Sequence, residues 1–226
     1  MMARHSQTAL LRPEKNLLFC GVYATMANET EMTPLMKLWD LLTGGSETPP
    51  VLPFDQALTE IFTLLCHGNR AVANEIADCL RDTQAYCQTH NALFDRRGLR
   101  YNPSAEPWLQ WIAAADAALS AGYLTELAAD SGEAAFRAAV SRVLQTNHIS
   151  FSLERITFDS RQKIPGWAAH FNEYAGQSGI TLYAIDTDSD SYVMGAAELA
   201  DYAAAADMAE RVGIPLSVFR DSAHNG

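Results

Sequence analysis

Residues Ile180 to Gly195, ITLYAIDTDSDSYVMG, restrict the chain more than any other stretch. An apolar run ends at Ile185, acids follow at alternate positions (Asp186, Asp188, Asp190), and Ser191-Tyr192-Val193-Met194 resumes a strand-like pattern. The β-branched and aromatic residues on both sides make this a strand, a polar turn and a second strand. The turn is also where chemistry-bearing side chains are most crowded.

Before this hairpin the pattern is helical. Residues 1–32 carry little periodicity and read as a loose tail. Lys15 followed by LLFCGVYATMA has the outline of a signal sequence, but Gly21 interrupts a short apolar run and Leu18 and Phe19 are large where cleavage wants small residues. A start at Met26 or Met32 accounts for the stretch at least as well. Thr33-Pro34 opens a helix with Leu35, Leu38, Trp39 and Leu42 on one face, closed by Gly44-Gly45, and the prolines of SETPPVLP forbid helix thereafter. A second helix opens at Asp55, with Leu58, Ile61, Phe62 and Leu65 inside and Gly68 as its stop.

Spacings of three and four predict one long helix from Arg70 to about His90, with Val72, Ile76, Cys79, Leu80, Thr83, Cys87 and His90 on its inner face. Residues 91–103 read as a loop. Ser104 caps a fourth helix with Trp108, Ile112, Ala115 and Leu119 inside, stopped by Gly122.

The character then changes. Tyr123 to Leu127 is a short strand, and Asp130-x-x-Glu133 has the form of a capping box for a helix with Phe136, Ala139, Val140, Val143 and Leu144 inside. Ile149, Phe151 and Leu153 alternate with polar residues and Ile156 and Phe158 continue after a slip, which predicts a bulged strand. Trp167, Phe171, Tyr174 and Ala175 form another helical face. After the hairpin comes an alanine-rich helix with Leu199, Tyr202, Ala206, Ala209 and Val212 facing inward, then Gly213-Ile214-Pro215 and a last strand, Leu216 to Phe219. The expectation is an α+β fold: a helical part (33–121) packed on a small mixed sheet with flanking helices (122–220), in one domain spanning 33–226.

Composition sets limits on partners. At 226 residues and 48% hydrophobic the chain can bury a substantial core, and no window is apolar enough for a membrane helix. The formal charge is −11, and residues 181–226 hold eight acids against Arg211 and Arg220. Such a surface repels nucleic acid and anionic lipid and attracts basic proteins or metal ions. Arg96, Arg97 and Arg100, beside Asp95 and Gly98, read as a solvated loop, since a nucleic-acid stripe needs more length and stacking aromatics. Four cysteines without a Cys-x-x-Cys motif (Cys20, Cys66, Cys79, Cys87) fit a reducing cytoplasm.

Three uses compete for Asp186, Asp188 and Asp190. An EF-hand calcium loop fails, because Ser191 stands where glycine is required and Ala197 where a bidentate glutamate belongs. A strand-end acid pair holding Mg²⁺ or Mn²⁺ has the right form at Asp186-Thr187-Asp188, although phosphatases of the Asp-x-Asp-x-Thr kind carry threonine where Asp190 stands. The third use is a loop whose carboxylates and hydroxyls satisfy nearby backbone N–H groups. Mutual repulsion of three carboxylates disfavours a tight loop unless a cation, an N–H cluster or an arginine offsets it. Elsewhere, Cys79, Cys87 and His90 share a helix face near Cys66 and His67, but their spacing does not match closed zinc sites and buried small hydrophobes account better for the thiols. No Ser-His-Asp or Cys-His arrangement can be argued before the fold is known, and no phosphate-binding glycine loop is present, since Thr43-Gly44-Gly45-Ser46 lacks the lysine and the strand before it.

Asp186-Thr187-Asp188-Ser189-Asp190-Ser191-Tyr192-Val193, together with the Trp108 helix and Gly122-Tyr123-Leu124-Thr125-Glu126-Leu127, resembles an uncharacterised bacterial family of small α+β proteins. That family, a domain of unknown function, carries an I-D-T-x-S-D-S-Y-V C-terminal signature, and the likeness spans roughly residues 104–220. It implies a fold and a bacterial cytoplasm, and no activity. The resulting expectation is a non-enzymatic, cofactor-free acidic module of the immunity kind that binds a basic protein. The alternative is a divalent-metal-dependent hydrolase or transferase using Asp186, Asp188 and Asp190.

Overall fold

The computed structural model describes residues 52–219. The helix expected from Thr33, the tail before it and Cys20 lie outside the described residues.

Helix α1 (Phe54–Leu65) starts after Pro53, whose ring suits an entry, and buries Ala57, Leu58, Ile61, Phe62 and Leu65 along one stripe. Left-handed His67 and Gly68 turn the chain out, with Gly68 N–H bonded to Thr63 O at 2.8 Å. The Asn69 side chain then accepts from Ala71 N–H and Val72 N–H, capping α2 (Arg70–Arg81). The single helix expected over 70–90 is two. Asp82 adopts an extended conformation and its carboxylate caps α3 (Thr83–Thr89) by accepting from Ala85 N–H at 2.9 Å. The apolar spacing runs unbroken through this corner because both helices face the same core, with Cys79 and Cys87 buried on either side.

Residues 91–103, expected to be a loop, include a short helix, α4 (Asn91–Arg96), which buries Phe94. Ser104 sits in a 3₁₀ turn whose cap is Asn102, and α5 (Glu106–Ser120) follows. Every residue of α5 from Leu109 to Ala115 is buried, while the expected core residues Trp108 and Leu119 are only partly covered. This helix is enclosed on most of its circumference, so a single stripe underestimates it.

Strands β1 (Leu124–Ala128), β2 (Ile180–Ile185), β3 (Ser191–Glu198) and β4 (Leu216–Val218) form one sheet in the order β1-β3-β2-β4. All three pairings are antiparallel, so the α+β fold stands with an antiparallel sheet in place of a mixed one. The period of two along the central strands splits the core. Tyr183, Ile185, Val193 and Ala197 face α1, α2, α5 and α8 (Leu199–Arg211), whereas Ile180, Leu182, Met194 and Ala196 face α6 (Glu133–Thr146) and α7 (Ile164–Ala175). Only Ala205 and Ala209 of α8 are buried, and Leu199, expected inside, is 47% exposed. Tyr174 of α7 is likewise exposed.

The stripe expected for α6 is the buried one, but its capping box does not form. Gly132 is the cap residue, and Glu133 instead pairs with Arg137 at 2.7 Å. That arginine also explains why Ile149 to Phe158 is not a strand. Its guanidinium donates to Leu153 O at 3.0 Å and Ile156 O at 2.7 Å and lies over the Phe158 ring, so carbonyls that a ladder would use are taken by a side chain. The alternation marks residues that cover α6 and α7, with a 3₁₀ turn at Leu153–Arg155 between them.

One contact at the sheet centre has a sharp steric requirement. Gly195 pairs with Leu124 on one side and Tyr183 on the other, and a Cβ there would lie 2.3 Å from the Tyr183 hydroxyl and 2.8 Å from Leu124 Cδ2. Gly195→Ala is expected to lower unfolding free energy by about 2 kcal/mol, whereas Gly176→Ala, at a right-handed residue with open space, leaves it unchanged in the same urea titration. The Tyr183 hydroxyl is fully buried without a hydrogen-bond partner among the described residues. Tyr183→Phe is therefore expected to raise stability by about 1 kcal/mol, and a loss would show that the hydroxyl is satisfied.

Candidate functional site

The loop between β2 and β3 is held by its backbone and by the side chains of Asp186, Thr187, Ser189 and Ser191. Asp186 N–H bonds to Pro215 O at 3.3 Å, which ties the end of β2 to the turn before β4. The Asp186 carbonyl accepts from the indole N–H of the buried Trp111 of α5 at 2.9 Å. The Asp186 carboxylate accepts from Asp188 N–H at 2.8 Å, a local turn of the kind aspartate favours. Asp188 itself has φ +51°, the left-handed conformation that aspartate tolerates better than most residues.

Asp186, Asp188, Ser189 and Asp190 are exposed, Ser191 is partly covered, and Thr187 is buried. Thr187 Oγ1 lies 3.0 Å from Ser189 Oγ, which lies 2.9 Å from Ser191 Oγ. Ser191 in turn donates to the Glu126 carboxylate on β1. The sequence expectation of an exposed acidic hairpin tip is met. Among the described residues, however, no three His, Cys, Asp or Glu side chains are grouped to hold a metal ion.

An arginine does reach the loop, at Thr187, and it comes from a place the sequence did not mark. Arg97, read above as part of a solvated loop, follows α4 and has a side chain only 9% exposed. Its guanidinium donates to Asp116 Oδ1 of α5 at 3.1 Å and to Thr187 Oγ1 at 3.3 Å, and sits 3.6 Å from Glu126 Oε1. A planar fork with several donors suits such a junction, where a lysine would satisfy fewer partners. Arg96 matches the solvated reading, being 75% exposed and 3.8 Å from Asp116. No local pattern distinguishes the two arginines, because the partners of Arg97 are contributed by α5, β1 and the loop. The hydroxyls at alternate positions Thr187, Ser189 and Ser191 were the available signal, since their spacing places them together opposite the acids.

The other sequence candidates do not assemble. Cys66, Cys79 and Cys87 are buried free thiols, whereas the His90 side chain is 40% exposed. His90 stacks on Tyr86, whose hydroxyl donates to Glu75 at 3.0 Å. A shallow, open depression of about 400 Å³ is lined by Ser141, Leu144, Gln145 and Ile149 to Ser152 and shares no residue with the loop.

Burial pushes the Cys66 and Cys79 thiols up from 9.0 to about 12 and the Tyr183 phenol well above 10. These groups ionise in the unfolded chain before they ionise in the folded one, so the unfolded state loses protons first as pH rises. The stability that the two thiols contribute is complete below about pH 9 and is lost between that pH and about 12. Urea midpoints are expected to fall steeply from pH 8 to pH 10.5, with a smaller fall in Cys66→Ala measured against its own pH 8 value. Equal slopes would contradict the burial argument.

The family model described as a domain of unknown function (DUF6630) matches residues 57–219. No curated protein and no solved structure gives a significant match. The matched span runs from within α1 to the residue after β4 and so includes the loop, Trp111, Arg97, Asp116 and Glu126. With well over half of its length matched, the chain belongs to the DUF6630 family of domains of unknown function.

Proposed function

We propose that the chain is a non-enzymatic binding module of the immunity kind, which presents the β2–β3 loop to a basic protein in the cytoplasm. The observation that carries this reading is the division of labour within the loop. Its backbone and hydroxyls are tied to Trp111, Arg97 and Glu126 and the Asp186 carboxylate accepts from Asp188 N–H, while the Asp188 and Asp190 residues face solvent. A loop already held in place loses little conformational freedom on binding. The acids of the C-terminal part add a long-range field that speeds encounter with a cationic surface, and that effect weakens with salt.

The competing proposal places Mg²⁺ or Mn²⁺ on Asp186, Asp188 and Asp190 in a hydrolase or transferase. It requires Asp186 to give up its bond to Asp188 N–H or to bind through its second oxygen. Two measurements separate the proposals. A pull-down from the host cell is expected to recover a basic protein at low salt, to lose it at high salt, and to recover less of it with Asp188→Asn and Asp190→Asn together. Recovery indifferent to salt and to both substitutions would contradict the binding reading. Mg²⁺ and Mn²⁺ are expected to leave the melting temperature unchanged. A bound ion at a hundred times its dissociation constant would add roughly 2.7 kcal/mol, and a rise abolished by Asp188→Asn would favour the enzyme.

A further inference from the structure

The contacts around Arg97 close into a ring. Arg97 Nη1 reaches Thr187 Oγ1 at 3.3 Å, Thr187 reaches Ser189 at 3.0 Å, Ser189 reaches Ser191 at 2.9 Å, Ser191 bonds Glu126 Oε1, and that oxygen lies 3.6 Å from Arg97 Nη1. Chemistry at the two ends sets the direction of every hydroxyl between them. A guanidinium can only donate and an ionised carboxylate can only accept. Thr187, receiving from Arg97, passes its proton toward Ser189, Ser189 toward Ser191, and Ser191 toward Glu126. Each donor is polarised by the one before it, so the bonds strengthen one another and losing one weakens the rest.

From this we propose that the ring makes two segments about ninety residues apart a single cooperative unit. One is the loop from Asp186 to Ser191. The other is the C-terminal end of α4, where Gly98 N–H bonds to Asp95 O at 3.1 Å and Leu99 N–H to Phe94 O at 2.8 Å. Arg97 belongs to that turn and is fastened to α5 through Asp116 at 3.1 Å, so the loop cannot leave its place without removing an acceptor from a nearly buried guanidinium. Local openings occur in such cooperative units. Coupling between two sites is reciprocal: whatever binds the loop steadies the α4 turn, and whatever docks on that turn alters the loop. This regulatory consequence rests on the loop being a binding surface. The coupling itself does not, and it is measured without any partner.

The test is amide hydrogen exchange by NMR on the full chain, under conditions where exchange reports the opening equilibrium. The probes are the amides of Gly98, Leu99 and Asp188 and the indole N–H of Trp111. Thr187→Val, similar in shape and lacking the hydroxyl, is expected to accelerate all four by roughly tenfold while Val140 and Val143 in α6 keep their rates. Arg97→Met is expected to do the same, and Arg97→Lys to fall short of wild-type protection because one ammonium cannot meet Asp116, Thr187 and Glu126 together. Acceleration of the Asp188 amide alone, with Gly98 and Leu99 unchanged in Thr187→Val, would overturn the proposal. That variant decides the matter even where Arg97→Met does not fold. An empty pull-down combined with the shared acceleration would remove the binding reading and leave the coupling intact.

Discussion

A nearly buried guanidinium meeting two carboxylates and a threonine hydroxyl is the contact on which the architecture of the loop depends. Arg97 holds the loop through the Thr187 hydroxyl while its charge meets Asp116 and Glu126, and the three aspartates face water. The indole of Trp111 fixes the same loop through its backbone and not through its charge. Both anchors rest on α5 and its surroundings, and α5 is enclosed enough to serve as a rigid base. Burying such a network is not in itself a large source of stability, since desolvation offsets much of the attraction. Its effect here is to select one conformation of the loop.

The sheet prepares this arrangement. Antiparallel pairing of β2 with β3 brings their connecting loop to one end, and β1 beside β3 sets Glu126 opposite Val193, two residues from Ser191. Strict alternation along β2 and β3 gives each face its own apolar cluster, one against α1, α2, α5 and α8 and the other against α6 and α7. Gly195 lets the Tyr183 ring cross the central strand, so register is enforced sterically as well as by hydrogen bonds.

Much of this could be read from the sequence wherever local pattern and tertiary environment agree. The hairpin, the β1 strand and the stripe of α6 are such places. Reading failed where a side chain from elsewhere took over a backbone's partners. Arg137 accounts for the missing strand at Ile149 to Phe158, and Asp82 breaks a helix whose apolar spacing continues past it. Enclosure on several sides hid the true face of α5. For the site, the aspartates were visible because they are adjacent in the chain. Arg97 was not, because one arginine among several in a polar turn looks the same whether it points to water or toward a partner about ninety residues away.

The most direct measurement of whether Arg97 holds the loop is a double-mutant cycle on unfolding free energy, using Arg97→Met, Thr187→Val and both together. A direct charge-assisted bond within a cooperative ring predicts a coupling energy of about 1 kcal/mol or more. Additive effects, within about 0.3 kcal/mol, would show that the two side chains act independently and that the loop keeps its shape without the arginine.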